Sequence, residues 1–358
     1  MTARRHQRQS PVRFEFVLGV LVLLVAVAVW ALASADDDPA GRAAPSTEPT
    51  TSATGPTAIE PTPNVSTSPS PAGAPKRPLT IHGTGDVSLD PNYVPAFRSN
   101  GYDWAWSGLD GLFTRDDLTI INHECPSTDI VAPIPKQFSF RCDPQALDEA
   151  RRAGVDVASL ANNHGFDQGP EALVDSIRNI ERAGLIAVGA GEDAEDADAP
   201  RYVEVKGWRI AIVGVGEVLD PLNQVATADS PGTAVGHDFA RALAAIREAE
   251  RNADLVLVTI HWGVELDTQP RGYQIDEARR MIDAGADAIF GHHAHRLQPM
   301  DTYRGRPIFY GLGNFVWPNF SVEGSTTAVA QVRVSPDGTV RGRLLPAYIT
   351  APGHPELR

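Results

Sequence analysis

Within Gly291-His292-His293-Ala294-His295, three imidazoles fall in four residues. Such a cluster has no packing advantage and repels itself once protonated, so a bound cation is the chemistry it suits. Four other short stretches carry comparable donors: Gly83-Thr84-Gly85-Asp86, Ile121-Asn122-His123-Glu124, Leu160-Ala161-Asn162-Asn163-His164 and Thr259-Ile260-His261-Trp262-Gly263. Each has a plainer reading by itself. Asp86 reads as a turn after a strand, Asn163-His164 as a helix cap, and His261 as a core histidine beside an aromatic ring. Taken jointly, two carboxylates, one or two amides and several imidazoles suit divalent first-row metals such as manganese, iron or zinc, whereas thiolates would have pointed to structural zinc. Two such ions about 4 Å apart, bridged by a carboxylate and a hydroxide, can hold a phosphoryl group, activate a nucleophile and stabilise a leaving oxygen. His164, next to a candidate ligand, could give up a proton.

Residues so far apart in the chain need a scaffold that collects them. From Leu79 onward, short β-rich apolar runs alternate with helical patterns, which predicts an α/β sandwich. The runs place strands at 79–84, 118–122, 155–160, 209–215, 255–260, 288–290 and 308–311. Apolar spacings of three and four, as in Leu173, Ile177 and Ile180, predict helices over 144–153, 170–183, 238–251 and 274–284. Hairpins are expected where 202–205 returns through Lys206-Gly207 and where 328–334 returns through Pro336-Asp337-Gly338. Nearly every chemically capable residue then falls just past the C-terminal end of a strand, the rim at which open α/β sheets assemble sites.

The rest of the chain sets the surroundings. Residues 79–358 contain 24 Lys and Arg against 39 Asp and Glu, and this acidic body argues against nucleic-acid binding, which needs cations on phosphates. Two cysteines, Cys125 and Cys142, exclude a disulfide-dense scaffold and leave room for one bridge. Arg4, Arg5, Arg8 and Arg13 precede an uncharged run from Phe16 to Ala33. That pattern predicts a cytoplasmic segment over 1–15, a transmembrane anchor over 16–35 and an exported remainder. A cleaved signal peptide is the alternative, since Ala33-Ser34-Ala35 suits a signal peptidase and would release a secreted protein. Residues 36–78 are rich in Pro, Thr and Ser with almost no large apolar side chain, so they read as an extended, disordered spacer before a single domain at 79–358. Trp104, Trp106, Trp262 and Trp317 are candidates for an aromatic wall facing substrate, with core burial the more frequent fate of tryptophan; Arg141 reads as a surface ion pair before an anion contact, and His123 as a surface position before an additional site member.

The motifs resemble the bacterial capsule-synthesis CapA (PGA_cap) family, within the calcineurin-like metallophosphatase superfamily. The resemblance rests on Gly85-Asp86-Val87, Asn122-His123-Glu124, Leu160 to His164 with Asp167 and Gly169, His261-Trp262-Gly263-Val264-Glu265, Gly291 to His295, and Tyr310-Gly311-Leu312-Gly313-Asn314-Phe315. It implies a four-layer α/β fold with Asp86, Glu124, Asn163, His261, His293 and His295 as metal ligands and Glu124 as the bridge. It further implies His164 as general acid, oriented by Asp167. The superfamily's His two residues after the first Asp is replaced here by Ser88, and the extra imidazole leaves His292 as an alternative to His293. The family name implies partners in assembly of an anionic envelope polymer such as poly-γ-glutamate, including a polymer synthase or export complex. The activity implied is hydrolysis or transfer at a phosphoester or related bond, and a non-catalytic assembly factor is the competing expectation.

Overall fold

A computed structural model describes residues 75–218, 225–234 and 238–358. The anchor at 16–35 and most of the 36–78 spacer lie outside them. No helix among the described residues is long and apolar enough to cross a membrane.

In chain order the strands are β1 (Leu79–Val87), β2 (Leu118–His123), β3 (Val157–Ser159), β4 (Ile186–Val188), β5 (Ala190–Gly191), β6 (Arg201–Val205), β7 (Trp208–Gly216) and β8 (Gly232–Thr233). They continue with β9 (Leu255–His261), β10 (Ala288–His292), β11 (Met300–Tyr303), β12 (Arg306–Phe309), β13 (Asn314–Val316), β14 (Thr326–Val334), β15 (Val340–Ala351) and β16 (His354–Leu357). One sheet runs β16-β15-β14-β1-β2-β3-β4, with β13 also pairing β1; a second runs β11-β12-β10-β9-β7-β6, and β5 and β8 pair as a short third. Neighbours from β1 to β4, and from β7 through β9 and β10 to β12, are parallel. β4, β7 and β9 are near-continuous apolar runs because both faces are covered. The hairpins at β6–β7 and β14–β15 form as their turn residues require.

Three apolar clusters give the layer order. Ile81, Ile120 and Val157 of the first sheet pack with Ile212, Leu257 and Phe290 of the second, so the sheets lie face to face. The outer face of the first sheet is covered by α1 (Gln145–Arg152) and α2 (Gly169–Arg182) through Leu147, Leu173 and Ile180. The outer face of the second is covered by α3 (Phe239–Asn252) and α4 (Gly272–Asp283) through Leu243, Ile246, Ala278 and Met281. The result is the expected helix-sheet-sheet-helix sandwich, each helix burying the apolar stripe its spacing announced.

Two glycines make the arrangement possible. A Cβ at Gly83 would lie 2.4 Å from the Phe290 ring across the sheet interface, and one at Gly85 would lie 2.0 Å from the Gly313 carbonyl oxygen. Only bare backbone lets β13 approach β1 there and set Asn314 opposite Asp86. Cys125 and Cys142 form a disulfide, Cα to Cα 5.7 Å, tying the segment after β2 to the loop that returns before α1.

Candidate metal centre

The strands deliver their donors to one end of the sandwich. Asp86 lies within β1, Glu124 directly follows β2, Asn163 follows β3, and His261 and His292 are the last residues of β9 and β10. β1, β9 and β10 thus run slightly further than their apolar runs and carry Asp86, His261 and His292 inside the sheet, while Glu124, Asn163, His293 and His295 lie just beyond it. His293 and His295 follow in a turn with φ of 86° and 51°, left-handed values that cost a non-glycine residue and persist where surrounding structure imposes them.

Asn122, buried on β2, ties the group together. Its side-chain amide donates to Asp86 Oδ1 at 2.9 Å and lies 3.3 Å from Glu124 Oε2 and 3.2 Å from His261 Nδ1. Its own oxygen accepts from Asn162 at 3.1 Å. His261 Nε2 is 2.8 Å from Asn163 Oδ1. Glu124 Oε1 stands 3.7 Å from His261 Nε2 and 3.8 Å from His295 Nε2, between two sets of imidazoles. One atom each from Asp86, Glu124 and His261 lies within 4.8 Å of the others, and the same holds for Glu265, His293 and His295.

A metal fits this donor set on the evidence of the protein alone. Glu124 Oε1, His292 Nδ1 and His293 Nδ1 are buried without a hydrogen-bond partner, while Asp86 Oδ2 faces His295 Nδ1 at 3.0 Å, and orphans so close together are costly unless something binds them. His295 Nδ1 donates to Asn314 Oδ1 at 2.8 Å, and His292 Nε2 contacts Thr259 Oγ1 at 3.1 Å, so each ring is held by one nitrogen while the other remains for a cation. His292 Nδ1 is 3.7 Å from Asp86 Oδ1, and the His293 ring is 4.8 Å from that of His261, so the two alternatives from the sequence both face the cluster.

Electrostatics point the same way. Burial pushes His292 and His293 down to about 4, and it holds His261 well below its ordinary value. Burial and the Asp86 charge raise Glu124 well above the carboxylate range. Burial also works against a charge on His295, but Glu124 and Asp86 beside it prevail and raise it to about 9. His261, His292 and His293 are thus held neutral, the form that binds metal, whereas His295 carries a proton that a cation bound beside Glu124 and Asp86 would displace.

His164 sits beside this cluster. Its Nδ1 donates to Asp167 Oδ2 at 2.7 Å, and Asp167 also accepts from the Phe140 N–H and from Lys136, each at 2.7 Å. That arrangement fixes the tautomer and leaves Nε2 as the nitrogen free to exchange a proton. Burial lowers the His164 pKa against the pull of Asp167, so the ring is neutral near pH 7 and suits accepting a proton as well as returning one. Lys136 also donates to the Asn163 carbonyl at 2.7 Å.

All eight residues assigned from the sequence, with His292, therefore meet in one place. Nothing in the sequence pattern singles out Asn122, Lys136, Asn314 or Glu265 as members of the site. Asn122, Asn314 and Glu265 stood inside motifs already noted, whereas Lys136 lies in a loop without any motif. Other expectations are corrected. His123 is fully buried, not on the surface, its Nε2 2.8 Å from Ser127 Oγ, because β2 runs through it. Trp262 is buried and donates to the Tyr310 carbonyl, Trp106 is buried, and Trp104 stacks on His354, so only Trp317 faces the site, its ring 4.8 Å from that of His295. Arg141 donates to the Thr128 carbonyl at 3.1 Å.

Fold and site thus define a four-layer α/β protein with a candidate metal centre at the edge where its two sheets meet. Comparison with known proteins assigns its family: the profile described as "Bacterial capsule synthesis protein PGA_cap" matches residues 80–319, and the chain belongs to that family. The "Capsule biosynthesis protein CapA" of Bacillus anthracis is 31% identical over 278 residues, covering 76% of this chain and 67% of that protein. The "PGA biosynthesis protein CapA" of Bacillus subtilis is 31% identical over 274 residues, covering 76% and 72%. Among solved structures, the NAD nucleotidase of Haemophilus influenzae aligns over 76% of this chain and 50% of its own at 14% identity and a TM-score of 0.49, too slight a likeness to carry an argument.

Proposed function

We propose that this protein is a membrane-tethered, extracytoplasmic hydrolase or transferase that uses a pair of divalent cations on a phosphoester or related bond during synthesis of an anionic envelope polymer. The observation that carries the reading is the meeting of Asp86, Glu124, Asn163, His261, His293 and His295, with buried oxygens and nitrogens lacking partners, beside the His164–Asp167 pair. When bound, manganese, iron or zinc would supply charge for an oxyanion and a lowered pKa for a water. The chain's own residues do the rest. Asp167 orients His164, and His164 Nε2 exchanges a proton with the reacting oxygen. The names of the Bacillus relatives support the polymer, and the uncharged run from Phe16 to Ala33 after four arginines supports the tether.

Elemental analysis of the purified, manganese-loaded protein should find two ions per chain, and the protein should hydrolyse a generic phosphomonoester or phosphodiester. His164→Ala should keep the ions and lose about a hundredfold or more in turnover. Zero bound metal sinks the reading.

One observation favours a second reading, a non-catalytic assembly factor. Ser88, fully buried with its hydroxyl lacking a partner, stands where the superfamily pattern has a histidine. On that reading His164→Ala leaves polymer production in cells unchanged, while deletion of residues 16–35 abolishes it.

A further inference from the structure

Beside the metal centre lies a cavity of about 210 Å³, whose lining includes His164, His295, Tyr93, Trp317, Phe320 and Arg296. The first two belong to the site already described. Tyr93, pushed up to about 12 by burial and by the Glu124 charge, packs edge-on against Trp317 at 5.1 Å and remains a protonated, neutral wall. Phe320 at the lip is 79% exposed, and Phe138 and Leu266, also on the lining, are 54% and 60% exposed. Large apolar side chains left in water around one opening suit a ligand with an apolar stem.

Arg296 is the unexplained member. Its Nη1 donates to the His295 carbonyl at 2.7 Å, and it forms no ion pair with any carboxylate among the described residues, although the domain is strongly acidic. Glu265 lines the same cavity but is grouped with His293 and His295. Arg296 instead lies against the segment at Ser321 and Gly324, its Nη1 3.5 Å from where a Gly324 Cβ would stand. The carbonyl contact holds the fork in place, so part of the entropy of ordering it is already met, and the remaining N–H groups are left for an oxyanion.

We propose that Arg296 is the seat for a second anionic group of the substrate, joined by a short apolar stem to the group that reacts at the metal centre. The inference rests on the proposed function and narrows it: the substrate is a molecule with two anionic groups rather than a simple monoester, and Arg296 determines that specificity.

The test is calorimetric titration of the full chain, loaded with manganese, using propylphosphonate as a single-anion probe and phosphonoacetate, 3-phosphonopropionate and 4-phosphonobutyrate as two-anion probes. At least one carboxylated probe should bind about tenfold tighter than propylphosphonate. Arg296→Ala and Arg296→Gln should both erase that gain while leaving propylphosphonate affinity and metal content at wild-type values. Absence of a gain in the wild type, or its survival in Arg296→Ala, overturns the proposal and leaves the metal centre standing. Protein that takes up no manganese and binds no phosphonate overturns the proposed function instead.

Discussion

Asn122 touches Asp86, Glu124 and His261 with one amide group, and so it sets the spacing between carboxylates from one sheet and an imidazole from the other. Two buried carboxylates this close repel, and the shared donor together with His295 is what the protein itself offers against that repulsion. Asn122→Leu keeps the volume and removes the donor. Metal affinity should fall about 10–100-fold, as for other residues that orient ligands, while circular dichroism and the melting temperature of the chelated protein stay close to wild type. Unchanged affinity in a calorimetric metal titration would show that the ligands hold their places without it. Donors such as His261 and His295 were legible in the sequence because unusual residue types followed apolar runs. Asn122 was harder to see, since a buried asparagine inside a strand announces nothing until its three partners are in place. The burial of His123 is hidden for a related reason: alternation along a strand covered on both faces does not separate inside from outside.

At the scale of elements, the seven strands and four helices expected from periodicity all formed, with ends displaced by a few residues. Strands β13 and β16 and the short helices at Phe97–Asn100 and Trp104–Ser107 gave no periodic signal because each is too brief to show a repeat. Their placement depends on long-range contacts, such as the Gly85–Gly313 approach, that composition cannot announce. One contact between elements has a consequence for stability. Glu217, just after β7, lies beside Glu277 on α4, and burial together with the Glu277 charge raises the Glu217 pKa to about 8 from 4.5. An acid with a raised folded-state pKa binds its proton more tightly when folded. Its contribution is therefore fully present below about pH 4.5 and is lost as pH rises through about 8. Glu217→Gln should melt higher than wild type at about pH 8.5, with the difference shrinking toward about pH 5. A difference that stays constant across that range would mean that the two carboxyls do not share a proton.

Across the whole molecule, the site occupies the seam between the sheets. Asp86, Glu124 and Asn163 come from the first sheet, and His261 with His292, His293 and His295 come from the second. The sequence showed that both sets of strand ends carry donors; that they face each other follows from packing, from Phe290 lying over Gly83 and from Ile81 and Ile120 meeting Ile212 and Leu257. Cations held by both sets would join the layers at an edge where, among the described residues, orphaned carboxylate and imidazole atoms otherwise weaken them. Ligation should therefore register as global stability. An ion present at about a thousand times its dissociation constant adds about 4 kcal/mol. For a domain of this length that is a rise of about 10 °C in melting temperature between chelator-treated and manganese-loaded protein. His261→Ala should remove part of that rise, because it takes one of the second sheet's imidazoles out of the group with Asp86 and Glu124. Scanning calorimetry that finds one melting temperature with chelator and with manganese would mean that the two sheets hold together without a shared cation.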